Sequence, residues 1–72
     1  MKLPRDLSGE QVVKALRRPG FEATRQAGSH VRLARADRRV TVPLHKSVVP
    51  GTLQNIPRQA GVTVERFLEV LR

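Results

Sequence analysis

The spacing of apolar residues changes twice along this chain, and each change predicts a different kind of element. Val12, Val13 and Leu16 recur at helical spacing behind Ser8, and Gln11 stands three positions after that serine. A serine hydroxyl that accepts from the third amide, with a glutamine reaching back to the serine amide, satisfies two donors that a helix start leaves open. A helix is therefore predicted from a Ser8 cap to Arg17-Arg18, closed by Pro19-Gly20. The arginine pair reads first as favourable charge at the negative end of the helix dipole.

From Phe21 the period falls to two. Phe21–Gln26, His30–Ala34 and Arg39–Leu44 each alternate apolar with polar residues. Turn signals at Ala27-Gly28-Ser29 and at Arg35-Ala36-Asp37-Arg38 separate them. Such short links make an antiparallel meander the simplest pairing. Alternation also predicts the faces. Phe21, Ala23, Val31, Leu33, Val40, Val42 and Leu44 would lie under helices. Glu22, Thr24, Gln26, His30, Arg32, Thr41, Pro43 and His45 would form an open polar face.

After the loop Lys46–Pro50 the helical period returns. Thr52-Leu53-Gln54-Asn55-Ile56 starts a helix that Pro57 should kink, or restart with Asn55 as its cap, because proline removes a bond to the Leu53 carbonyl. Ala60-Gly61 ends it. Thr63 caps a last short helix carrying Val64, Phe67, Leu68 and Leu71.

Composition narrows the partners. The chain has 72 residues, which at this size bury only about 60% of the unfolded surface, so a single domain over residues 1–72 is expected. Fourteen Lys+Arg against 6 Asp+Glu give a formal charge of +8, which points to a polyanion or an acidic protein. No cysteine is present, which removes thiolate chemistry and fits a reducing, cytoplasmic compartment. No run of more than two apolar residues occurs, so no membrane partner is expected. Phe21 and Phe67 are the only aromatic residues besides histidine, too few for a base-stacking platform.

The candidate chemistry is then short. The six acids show no pairing suited to acid–base work. His30 and His45, fifteen positions apart with no cysteine and no adjacent carboxylate, do not make a recognisable metal site, and no cofactor motif is present. What remains is histidine acting on RNA. An imidazole, with an ordinary pKa of about 6.5, can take a proton at neutral pH. RNA carries its own nucleophile in the 2′-hydroxyl. On spacing alone, a solvated surface histidine is the commoner outcome for either residue. The basic run Arg32, Arg35, Arg38 and Arg39 is read as contacting phosphate, with edge protection of the hairpin as the alternative.

Several segments, taken in order, resemble the HicA toxins. They are Arg25-Gln26-Ala27-Gly28-Ser29-His30, Val40-Thr41-Val42-Pro43-Leu44-His45, Gly51-Thr52-Leu53 with Ile56, and Arg58-Gln59-Ala60-Gly61. The opening helix with Pro19-Gly20-Phe21 and the closing Val64-Glu65-Arg66-Phe67-Leu68 are also similar. The resemblance implies an α+β fold like a double-stranded-RNA-binding domain, with a three-stranded antiparallel sheet backed by helices in the order α-β-β-β-α plus a short C-terminal helix. It implies an mRNA endoribonuclease, the toxin of a toxin–antitoxin pair, whose HicB-like antitoxin covers the catalytic region; with no legible metal site, a metal-independent reaction is expected. The family's catalytic histidine lies in Gly-Ser-His, here His30. Pro57 departs from the family, which usually has a helix-compatible residue there.

On this reading His30 is the general base on the 2′-hydroxyl of single-stranded mRNA, leaving a 2′,3′-cyclic phosphate. Arg32 or Lys46 steadies the phosphate, and Arg25 supports RNA binding. His45 serves as acid or as an orienting residue. Gly28 permits the turn, and Ser29 bonds a phosphate oxygen or the backbone. The alternative is a non-catalytic RNA-binding module on the same fold.

Overall fold

Ser8 starts the first helix as its side chain predicts. In the computed structural model, which describes residues 6–71, the Ser8 hydroxyl accepts from the Gln11 amide at 3.1 Å and the Gln11 side chain accepts from the Ser8 amide at 2.9 Å. Leu7 and Val12, on either side of the cap, are both buried in one core and staple the helix start. Helix α1 spans Gly9–Arg17. Three strands follow, β1 Glu22–Ala27, β2 His30–Arg35 and β3 Arg38–Pro43, then α2 Pro50–Ala60 and α3 Val64–Leu71. The sheet is antiparallel in the order β1-β2-β3. This is the expected α+β arrangement, with the extra short helix at its end.

Both hairpin turns hold two residues. Gly28 has φ +60°, which glycine adopts without strain and which hairpin twist favours. Ala36 has φ +53°, and an L side chain there is strained.

The helical layer covers β2 and β3. Val31, Leu33, Val40 and Val42 are buried beneath it with Val12, Leu16, Leu53, Ile56 and Phe67, while Leu44 is half-buried. The Thr41 amide donates to Gln59 Oε1 at 3.1 Å, so a side chain of α2 closes the outer edge of β3.

Strand β1 departs from the expected faces. All six of its residues are exposed, including Ala23, and Phe21 is buried just before the strand begins. The register also shifts between Ala23 and Arg25. Ala23 lies opposite Leu33, but Arg25 lies opposite Arg32 and Gln26 opposite Val31. One extra residue, Thr24, reverses the alternation beyond it. Arg25 therefore belongs to the open face and Gln26 to the helix side, the reverse of the simple period-2 expectation. Pro43, expected on the open face, is buried, with its carbonyl against Gly9.

Helix α2 also corrects an expectation. It runs unbroken through Pro57, starting at Pro50 with Val49 as its cap residue, and Asn55 caps nothing. Leu53, Ile56, Pro57 and Ala60 are its buried residues, at i, i+3, i+4 and i+7. The proline ring thus occupies a core position on the apolar stripe, and its burial offsets the lost bond to Leu53. Gly61, in the left-handed region, ends α2, and the Thr63 hydroxyl accepts from the Arg66 amide at 3.1 Å to cap α3. Phe67 and Val70 are the buried residues of that helix.

Candidate functional site

The tight turn Gly28-Ser29 hands the chain directly to His30, the first residue of β2. His30 pairs with Ala27 on one side and Pro43 on the other, and it is exposed. The Ser29 carbonyl accepts from the Leu44 amide, which continues the β2–β3 ladder one step past Pro43. Two residues after Pro43 the chain presents His45. Its ring stands edge-on to His30, with centroids 6.4 Å apart and planes at 68°. Two histidines distant in sequence thus share one place at the end of the sheet.

The N-terminus of α1 fixes the segment bearing His45. The Gly9 amide donates to the His45 carbonyl at 2.9 Å, and the Val48 amide donates to the Leu7 carbonyl at 2.7 Å. Gly9 is needed for this approach, because a Cβ there would collide with the Pro43 carbonyl oxygen and lie 2.7 Å from Leu44 Cα. Sequence reasoning did not single out Gly9. Its signal was a glycine where helix propensity would favour alanine by about 1 kcal/mol.

Beside His30 lies a shallow concavity of about 250 Å³ lined by Arg25, Ala27, His30, Arg32 and Thr41. The bulge at Thr24 brings Arg25 there. Neither Arg25 nor Arg32 has a carboxylate partner; among the described residues the one ion pair is Arg66–Glu69, at 3.0 Å. The concavity is therefore cationic and free to accept anions. Lys46 follows His45 in an exposed loop and does not line it. No group of three or more His, Asp or Glu side chains able to hold a metal ion occurs among the described residues.

The basic run along the second hairpin divides between the two faces. Arg39 pairs with Ala34 on the open face, alongside Arg32. Arg35 turns the other way; its guanidinium donates to the Pro19 carbonyl at 2.5 Å and lies 5.8 Å from the Phe21 ring centroid. Arg38 packs its guanidinium over Gly61. Arg35 and Arg38 thus turn toward the helical side of the fold, although the sequence pattern assigns the whole run to phosphate. Arg39 joins the open cationic face.

A three-stranded meander with helices on one side and an unpaired cationic face on the other defines a small α+β protein of the double-stranded-RNA-binding-domain-like class. Residues 9–62 match the family model of the HicA toxin of bacterial toxin-antitoxin systems. The chain belongs to the HicA toxin family. No curated protein matches it.

Proposed function

We propose that this toxin is an mRNA endoribonuclease, that residues 1–72 act as one domain, and that a HicB-like antitoxin restrains it. The observation that carries the reading is the edge-on pair of His30 and His45 beside the cationic concavity, both exposed on the face the helices leave bare. A single-stranded RNA phosphodiester would seat its charge against Arg25 and Arg32. His30 takes the proton from the 2′-hydroxyl, whose oxygen attacks the adjacent phosphorus. The P–O5′ bond breaks, and His45, in its protonated form, supplies the proton that the departing 5′-oxygen requires. The products are a 2′,3′-cyclic phosphate and a 5′-hydroxyl, with no net change in protons. Gly28 and the Ser29 backbone hold His30 at the strand start. Lys46 adds charge along the loop.

Incubating the purified protein and its His30→Ala variant with single-stranded RNA tests this. A positioned acid–base group contributes about 10²–10⁴ in rate, so the variant should lose that much cleavage while melting like the parent. RNA retained without fragments by the unmodified protein would instead favour a binding module. Cleavage at full rate by a folded His30→Ala protein would end the assignment.

A further inference from the structure

The helical layer stops short of β1, and a second groove opens there, on the side of β1 that faces α1. It holds about 510 Å³ between α1 and β1. Val31 and Leu44 form its floor, with Val13 and Ala23 on its walls. Lys14, Arg17 and Arg25 stand on its rim against one carboxylate, Glu10. Beside it runs the edge of the sheet, where among the described residues β1 bonds only to β2. Residues flanking a two-residue turn exchange both ladder bonds, and the bonds then alternate. Ala27 and Arg25 therefore bond to His30 and Arg32, and Gln26 directs its backbone N–H and C=O outward. Gln26 thus offers backbone pairing at the edge, while its side chain lines the groove.

We propose that this edge and groove form a docking site for an acidic, strand-forming segment of a partner protein. The incoming strand would pair with Gln26 and place alternate apolar side chains on the Val31–Leu44 floor, with its carboxylates against Lys14 and Arg17. Charge selects this occupant. A second copy, itself carrying +8, would bring like charge to a cationic rim. The floor is apolar and lacks aromatic rings, so it gives RNA bases nothing to stack on. The bulge and Glu22 blunt the start of the edge and confine pairing to the stretch around Arg25–Ala27. Arg25 lines both this groove and the concavity beside His30, so an occupant here competes for a cation of the other site. The docking proposal stands whether or not the protein cleaves RNA.

Amide hydrogen exchange on the full chain tests it, with a short synthetic peptide alternating valine and glutamate as the probe. Exchange at the Gln26 amide should slow roughly tenfold on peptide addition, as for any amide drawn into a ladder. The same peptide N-methylated along its pairing edge should have no effect, nor should a valine–lysine version, oligouridylate, or a higher concentration of the protein alone. Gln26→Pro removes an outward donor that β2 does not use, and it should weaken binding of the acidic peptide, read by titration, at least roughly tenfold. The double variant Lys14→Glu/Arg17→Glu, on the exposed side of α1, keeps β1 intact and should weaken peptide binding at least roughly tenfold, so the test survives a poorly folded proline variant. No slowing with the acidic peptide, equal slowing with any control, or undiminished binding to the charge-reversed protein would overturn the proposal.

Discussion

Arg25 and Arg32 face each other directly across β1 and β2, two like charges in one cross-strand pair on the open face. Such pairs are destabilising by a few tenths to about 1 kcal/mol. An anion between them would reverse the sign. Arg25→Thr should therefore raise the melting temperature slightly while weakening RNA binding. For single strands the salt slope should fall by roughly 0.7, the share of one phosphate contact. Titrations at several salt concentrations, beside a thermal melt, measure both. Unchanged RNA affinity would remove Arg25 from the interface.

The histidine pair makes a prediction of its own. A base and an acid required in opposite protonation states give a bell-shaped dependence of kcat/KM on pH. His45→Ala should remove the limb that reports the acid and lower the rate by about 10²-fold or more. A profile of unchanged shape, with cleavage near the parental rate, would leave His45 as a neighbour of His30 without a chemical part.

Gly9→Ala should be costly although alanine is the better helix former. The new Cβ meets the Pro43 carbonyl and the Leu44 Cα, both backbone. Overpacking of this kind costs about 1–3 kcal/mol. Denaturant unfolding should show that loss. RNA cleavage by the molecules still folded should fall as well, because the displaced segment carries His45.

Ala36 offers the opposite case. Its φ is +53° while that of Asp37 is not positive, the pattern of a two-residue hairpin turn whose first central position favours glycine. An L side chain at positive φ costs about 1–2 kcal/mol, so Ala36→Gly should stabilise by about 0.5–1 kcal/mol. Arg25, His30 and His45 lie away from this turn, and RNA binding should not change. A loss of stability would mean that the turn tolerates alanine without strain.

Cleavage should persist in EDTA. The proposed step uses two imidazoles and two guanidiniums, and no third ligating side chain joins the histidines among the described residues. Activity lost to the chelator and restored by magnesium or manganese would call for a metal the step does not include.

Much of this molecule could be read from its sequence, and the misses have physical causes. Ser8, Gln11, Gly61 and Thr63 act through local bonds, so their positions alone announced the helix ends. The meander followed from alternation and two short turns. Alternation could not show that β1 extends beyond the helices, because Ala23 is apolar wherever it sits. Nor could it show the bulge, since one extra residue at Thr24 leaves no compositional trace while reversing Arg25 and Gln26. Pro57 misled because its backbone defect is visible in sequence, whereas the ring's place on the stripe Leu53, Ile56, Ala60 appears only once the helix is packed. Of the candidate site, the Gly28-Ser29 turn and the exposed position of His30 were legible from the turn signal and the alternation, while a catalytic part for His30 came only from the family resemblance. The apposition of His30 to His45 rests on the Leu44–Ser29 ladder bond and on the close approach of Gly9, contacts between backbones distant in sequence.

The bonds from Gly9 to the His45 carbonyl and from Val48 to the Leu7 carbonyl tie distant parts of the chain. The second imidazole is thus held from two sides, by the Leu44–Ser29 bond that extends the β2–β3 ladder and by the bond from Gly9 at the start of α1. An opening that frees α1 would remove one of these two ties and loosen His45, while His30 stays fixed within its hairpin. The same coupling places the two histidines under the cooperative opening that frees α1. Hydrogen exchange at the Gly9 amide would report how often that opening occurs, and with it the fraction of time the pair is complete.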